Sequence, residues 1–225
     1  MAGKQRWVPL ESNPEVLNKY ITKLGVKSSE WEFVDIYGLE PDLLMMVPNR
    51  VVAVMLLYPI TEKSEVESIG EVVEQHETYF VKQTIGNACG TVAIVHALAN
   101  NDGAVKFNEE SPFAKFLEAT KDLSPPERAT CLEKDTSMGA AHEDSAQEGQ
   151  TQPPSAEDHV NTHFVAFICN EGNLYEMNGR SEGPILHGKT SDETLLQDTA
   201  DVVKKFMARD PKELNFTVMA LTKKE

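Results

Sequence analysis

The 225 residues carry a formal net charge of −15, with 40% hydrophobic and 25% charged residues. That length buries a full-sized core and predicts one domain, and no apolar run approaches the roughly 20 residues a membrane-spanning helix needs. The acidic balance argues against nucleic acid or an anionic membrane and favours a basic partner. Three cysteines, Cys89, Cys131 and Cys169, at wide and unpatterned spacings argue against a disulfide framework and fit a reducing cytoplasm. The stretch MAGKQRWVPLESNPE lacks the apolar centre of a secretory signal.

In chain order, Asn13-Pro14 is an N-cap followed by proline at the first helical position, predicting a helix that runs to Leu24 and stops at Gly25. Residues 33–37 read as a short strand. Residues 50–58, with VVAVMLL, form a continuous apolar run and predict a central strand buried on both faces. Residues 61–75 are charged and poorly amphipathic, as in an exposed helix or loop, and 79–82 read as a strand. From Val92 to Ala99 the segment QTIGNACGTVAIVHALANN is apolar except at His96, which predicts a buried helix with Cys89 at its mouth. Ser124-Pro125-Pro126-Glu127 is a capping box opening a helix to Lys134. Residues 135–161, DTSMGAAHEDSAQEGQTQPPSAEDHVN, are polar throughout and predict a long, mobile surface loop within the domain. Strands follow at 163–169 and 174–177, joined by a turn at Asn170-Glu171-Gly172-Asn173. Thr190-Ser191-Asp192-Glu193 opens a helix carrying Leu195, Leu196, Ala200, Val203 and Phe206 at helical spacing, and 216–221 make a last strand.

A helix N-terminus gathers unpaired N–H groups and positive partial charge, so a thiol at position 89 is expected to have its pKa lowered toward the nucleophilic thiolate. Gly90 is expected to let a substrate carbonyl approach the backbone closely. His163 opens a strand 74 residues downstream, Asn178 stands at a strand end 15 residues further, and Gln83 precedes the cysteine by six. Base, orienting amide and oxyanion donor thus accompany the thiol in the order Gln83, Cys89, His163, Asn178. Position alone leaves Cys89 open between nucleophile and core thiol, since buried free cysteine is common. Cys131 and Cys169 read as structural and His96 as a satisfied core histidine. His76, His142, His159 and His187 lie in polar stretches and read as exposed. His159 and His163 are four apart, but a strand at His163 spoils the helical geometry of joint ligation. With no zinc motif and no phosphate-binding glycine loop, neither metal nor cofactor is expected.

Longer matches add a family. WVPLESNPEVLNKY, YFVKQTIGNACGT, AQEGQT, HFVAF, LYEMNGR, TSDETLLQD and KKFMARDP, in this order, resemble the ubiquitin C-terminal hydrolases, the small cysteine-protease deubiquitinases. The resemblance spans essentially the whole chain. It implies an α+β fold with a central antiparallel sheet flanked by helices, of the papain-like type with a knotted backbone. It makes Cys89 the nucleophile, His163 the general acid/base and Gln83 the oxyanion stabiliser, acting on small adducts or short peptides at the C-terminal glycine of ubiquitin and of NEDD8. Residues 135–161 would be the crossover loop over the active site. The implied ubiquitin contacts are Pro9, Leu10, Glu11, Ser12, Asn13 and Pro14; Ala146, Gln147, Glu148, Gly149, Gln150, Thr151, Gln152 and Pro153; and Glu213, Leu214, Asn215 and Phe216. An acidic protein suits the basic face of ubiquitin. The expected partners are ubiquitin and NEDD8, met as a monomer in the cytoplasm and extending to the nucleus, without nucleic acid or membrane.

The family's LYELDGR reads LYEMNGR here. Asn178 can still accept the imidazole N–H, as in papain-like Cys-His-Asn enzymes, but offers no negative charge. A ubiquitin-binding protein with weak turnover is therefore the alternative to an active hydrolase.

Overall fold

The computed structural model describes residues 5–48, 50–74, 77–158 and 160–224. Helices are α1 (Pro14–Leu24), α2 (Pro41–Leu44), α3 (Glu62–Val66), α4 (Cys89–Ala99), α5 (Pro112–Thr120), α6 (Pro125–Lys134), α7 (Thr136–Ala146) and α8 (Leu195–Arg209). Strands are β1 (Trp31–Asp35), β2 (Val51–Pro59), β3 (Glu71–Val72), β4 (Thr162–Asn170), β5 (Asn173–Met177), β6 (Ile185–Lys189) and β7 (Thr217–Lys223). Among the described residues they form one seven-stranded sheet in the order β1-β7-β2-β4-β5-β6-β3, every neighbouring pair antiparallel. This is the α+β arrangement of a central antiparallel sheet flanked by helices.

The continuous apolar run of β2 follows from its place inside the sheet. Ala53 and Met55 enter the core shared with α1, α4, α5, α6 and α7, while Val54, Leu56 and Tyr58 enter the core shared with α2 and α8. β4 alternates likewise: Phe164, Ala166 and Ile168 to the first core, Val165 and Phe167 to the second. A strand covered on both faces has no position for a polar residue, so the two-residue alternation is hidden.

Local signals set the ends of α1. The Asn13 side chain accepts from the Glu15 N–H, Pro14 takes the first turn, and Gly25 adopts φ 110° with its N–H closing on Ile21 and Thr22 carbonyls. The turn between β4 and β5 places Glu171 and Gly172 at φ 48° and 72°, the positive-φ pair of a tight hairpin.

Several expectations change. Residues 79–82 are not a strand, because their backbone is satisfied by side chains. Asn100 Oδ1 accepts from the Tyr79 N–H, His96 Nε2 accepts from the Val81 N–H, and Arg128 donates to the Phe80 carbonyl. The first part of 135–161 is the helix α7, which buries Met138, Ala141, His142, Ser145 and Ala146; irregular chain begins only after it. The helix expected from Thr190 starts at Leu195, and the first strand is Trp31–Asp35 rather than 33–37. His142 and His187 are not exposed: His142 is buried between Thr91 and the Val8 carbonyl, and the His187 side chain is buried against Glu176. His76 and His159 lie outside the described residues.

Candidate active site

The mouth of α4 has no side-chain cap, Ala88 standing at the N-cap position. Asn87 before it takes φ 61°, a left-handed conformation that turns the chain sharply into the helix, and its side chain donates to the Ala156 carbonyl at 3.0 Å. The first-turn N–H groups therefore stay available around Cys89. Gly90 serves packing: a Cβ there would meet Leu10 Cδ1 at 3.2 Å and Phe164 Cδ2 at 3.4 Å. The close approach expected there is thus taken by the protein's own side chains, not left to a substrate.

Cys89, His163 and Gln83 line one cavity of about 390 Å³, with Leu10, Asn87 and Arg180 also in its wall. A larger cavity of about 590 Å³ is lined by Glu176, Asn178 and Arg180 but by neither Cys89 nor His163. Sheet register brings His163 opposite Tyr58, whose ring meets the imidazole edge-on at 5.8 Å.

His163 Nε2 lies 2.9 Å from Asn178 Oδ1. The identity of that amide atom follows from its other partner: the Arg180 backbone N–H, which can only donate, points at it from 3.0 Å. Asn178 Nδ2 faces Glu176 Oε1 at 3.2 Å. The carboxamide is thus held oxygen-to-imidazole, Nε2 carries the proton, and Nδ1 is the basic nitrogen. Among the described residues no hydrogen bond joins His163 to Cys89.

Gln83 is anchored at both ends of its residue. Its backbone N–H donates to the Gly179 carbonyl at 2.8 Å, and Nε2 donates to the Ile85 carbonyl at 3.2 Å, leaving the second amide hydrogen unused by that bond. Gly179 is required here, because a Cβ would press on Val92 Cγ1 at 2.8 Å and Gln83 Cβ at 3.0 Å.

Burial dominates the electrostatics. It pushes the Cys89 thiol above its ordinary value, against backbone hydrogen bonds from Phe164, Gly90 and Cys89 and the nearby Arg180 charge. Burial thus acts against the depression toward thiolate expected at the helix terminus. Burial also brings His163 down to about 4; the Asn178 hydrogen bond pulls upward and Arg180 pulls further down.

The other expected residues fall into a band beside this cavity. The Glu11 carboxylate accepts from the Gln150 N–H at 3.3 Å, the Thr151 N–H at 3.0 Å and the Thr151 hydroxyl at 2.7 Å, tying 9–14 to 146–153. Ser12 hydrogen-bonds Thr217 at 3.3 Å, bringing the first segment beside 213–216. Leu214 is 85% exposed, whereas Ala146 is buried, its side chain withdrawn from the surface. Arg6 donates to the carbonyls of Ala156 at 2.8 Å and Asp158 at 3.2 Å, fixing the far end of the crossing segment. His96 is a satisfied core histidine, while Cys131 and Cys169 sit half-buried away from the cavity. Sequence reasoning missed Arg180, Gly179, Glu176 and His187. The first three stand in LYEMNGR itself, where alternation along β5 points Glu176 inward with Leu174.

The sheet, and the cavity that joins Cys89, His163 and Gln83 with Asn178 hydrogen-bonded behind the imidazole, fit a cysteine-type hydrolase of α+β architecture. A family model described as ubiquitin carboxyl-terminal hydrolase, family 1, matches residues 7–208, and the chain belongs to that family of thiol-protease deubiquitinases. It is 56% identical over 213 residues to the ubiquitin carboxyl-terminal hydrolase of Aplysia californica, covering 94% of this chain and 99% of that one. It is 42% identical over 221 residues to the isozyme L1 of Rattus norvegicus, covering 96% and 97%. In fold it matches the Trichinella spiralis UCH37 catalytic domain bound to ubiquitin vinyl methyl ester, with TM-score 0.79, 21% identity and coverage of 97% and 96%. Among the described residues no helix is long and apolar enough to cross a membrane.

Proposed function

We propose that this protein is a thiol-dependent hydrolase that removes small adducts and short peptides from the C-terminal glycine of ubiquitin and of NEDD8, working as a single catalytic domain. The observation that carries the reading is the fixed orientation of Asn178, which leaves His163 Nδ1 as the basic nitrogen in the wall shared with Cys89. As substrate enters, Nδ1 takes the thiol proton and the sulfur attacks the glycine carbonyl carbon. The carbonyl oxygen gains the electron pair and is met by the free Gln83 N–H and the uncapped amides at the mouth of α4. Collapse breaks the bond to the leaving group, which takes the proton from Nδ1 and leaves a thioester. Water, deprotonated by Nδ1, then releases the carboxylate and the thiol.

Ubiquitin would lie on the band formed by 9–14, 146–153 and 213–216, whose links through Glu11 and Ser12 support one continuous surface. Residues 147–161 are read as the strap that limits leaving-group size, and the backbone path as the knotted one of papain-like relatives. Within the family we read the chain as kin to isozyme L3 or an invertebrate counterpart, the Aplysia identity supporting the second. The test is hydrolysis of a ubiquitin C-terminal fluorogenic ester beside ubiquitin binding. Cys89→Ser is expected to abolish turnover and labelling by a ubiquitin C-terminal electrophile while binding persists. Labelling that survives moves the nucleophile elsewhere, and binding without turnover in the parent protein selects the weak-turnover alternative.

A further inference from the structure

Beyond Asn178 the hydrogen-bond chain continues inward. Asn178 Nδ2 donates to Glu176 Oε1 at 3.2 Å, and Glu176 Oε2 lies 2.9 Å from His187 Nε2. The Glu176 and His187 side chains are each only 2% exposed. A buried carboxyl–imidazole pair is weak as a stabilising device, because taking both groups out of water offsets their attraction. Its placement suggests another use. The carboxamide of Asn178 has two ends: the oxygen meets His163 and the Arg180 N–H, and the nitrogen meets Glu176, with the Tyr58 hydroxyl as a further side-chain partner.

We propose that Glu176 and His187 are positioning residues for the hydrolysis, with His187 holding the Glu176 carboxylate so that it fixes the carboxamide of Asn178 oxygen-first against His163. The proposal rests on the reading of His163 and Asn178 as a catalytic pair. The amide at 178 accepts from the imidazole on one side and donates to the Glu176 carboxylate on the other. The groups facing His163 are Tyr58 from β2, Asn178 and Arg180 after β5, and Cys89 across the cavity; those facing Glu176 are His187 from β6, Asn178 and Tyr58. Arg180 is itself held by Glu65 at 3.0 Å.

The test compares the parent, Glu176→Ala, Glu176→Gln, His187→Ala, Asn178→Asp and the double variant Glu176→Gln/Asn178→Asp. The readouts are kcat and KM on the ubiquitin ester, the pH–rate profile, and the NMR titration of the His163 ring, which needs no turnover. Losing an acceptor for a buried amide should lower kcat about 10- to 100-fold in Glu176→Ala, with KM little changed. The His163 titration should move down, since a loosened Asn178 no longer favours the charged ring. His187→Ala should fall in the same direction by less. In Asn178→Asp the amide that donates to Glu176 is gone, so Glu176→Gln should cost less there than in the parent, and the double variant should stand above the product of the two single effects. Parental kcat and titration in Glu176→Ala, or a double variant equal to that product, would overturn the proposal. A parent without turnover whose His163 titration still shifts in Glu176→Ala overturns the functional reading and keeps the positioning. Should Glu176→Ala fail to fold, His187→Ala and the double variant decide.

Discussion

His96 and His163 are both buried, both face the turn after β5, and both are held neutral by burial, at about 3 and about 4. They differ in what their nitrogens do. His96 Nε2 accepts from the Val81 N–H, which makes Nδ1 the donor to the Met177 carbonyl, and the ring stacks on Phe80 at 5.0 Å. Every polar atom of His96 is spent on joining α4 to its neighbours. His163 spends one nitrogen on Asn178 and turns toward a cavity with the other. A histidine is available for proton transfer when its hydrogen bonding is incomplete on the side where a substrate enters. Depth and pKa direction do not separate the two.

The largest expected break is His163→Ala, which should cut ester turnover by about 10²–10⁴, the typical contribution of a general acid–base group, with little change in thermal midpoint. His96→Leu should do the opposite. It orphans the Val81 N–H and Met177 carbonyl at about 1–3 kcal/mol each, lowering the midpoint by roughly 10 °C while turnover falls only modestly. Calorimetry paired with the ester assay checks both, and a His96→Leu protein that keeps its midpoint would void the contrast.

Acid sharpens the comparison next. His96, His142 and His163 all have folded pKa values well below the ordinary 6.5. A depressed histidine pKa leaves stability intact above 6.5. Below it the unfolded chain binds protons that the folded one refuses, so stability falls as pH drops from 6.5 toward about 4. Each histidine should contribute about 1.4 kcal/mol per pH unit over that window. Denaturant titrations should show the slope of His142→Gln shallower by that amount, and an unchanged slope would mean His142 charges in the folded state.

The smallest effect concerns the strap. Glycine–serine residues inserted between Gln152 and Pro153 should admit larger ubiquitin conjugates while ester turnover, set by His163, changes little. Insertion at Gly149 is a poorer choice, since a Cβ there collides with Glu11 Oε2. Lengthened proteins confined to small adducts would refute steric gating.

What the sequence made readable depended on whether the signal was local. α1 announces itself through Asn13, Pro14 and Gly25, and β2 through its unbroken apolar run. Ser111 and Pro112 open α5 with the same local grammar as Asn13 and Pro14, yet no helix was expected there. α7 was hidden because its buried positions, 138, 141, 142, 145 and 146, keep perfect helical spacing but hold alanine, serine and histidine beside one methionine. The period was present and the hydrophobicity was not. The reverse happened at 79–82, where β-favouring side chains meet His96 and Asn100 in place of a neighbouring strand. In the candidate site, Cys89, His163 and Gln83 were named from residue type and order, and the fold brings them to one cavity with Asn178 on the His163 ring. The raised thiol was not readable, because desolvation depends on which side chains the fold brings over it. Glu176 reads as inward from the alternation of β5, but its bond to His187 joins adjacent strands whose register residue order does not announce.

The position of β7 has a consequence for synthesis. It lies between β1 and β2, although its residues, 217–223, are made nearly two hundred positions after β1. While the chain emerges from the ribosome, β2, β4, β5 and β6 can pair in succession, but β1 and one edge of β2 wait with their backbone groups unmatched. The sheet closes across both cores only when that last strand slides in, so nascent chains stalled before it expose an apolar edge that chaperones would hold and like edges would seek.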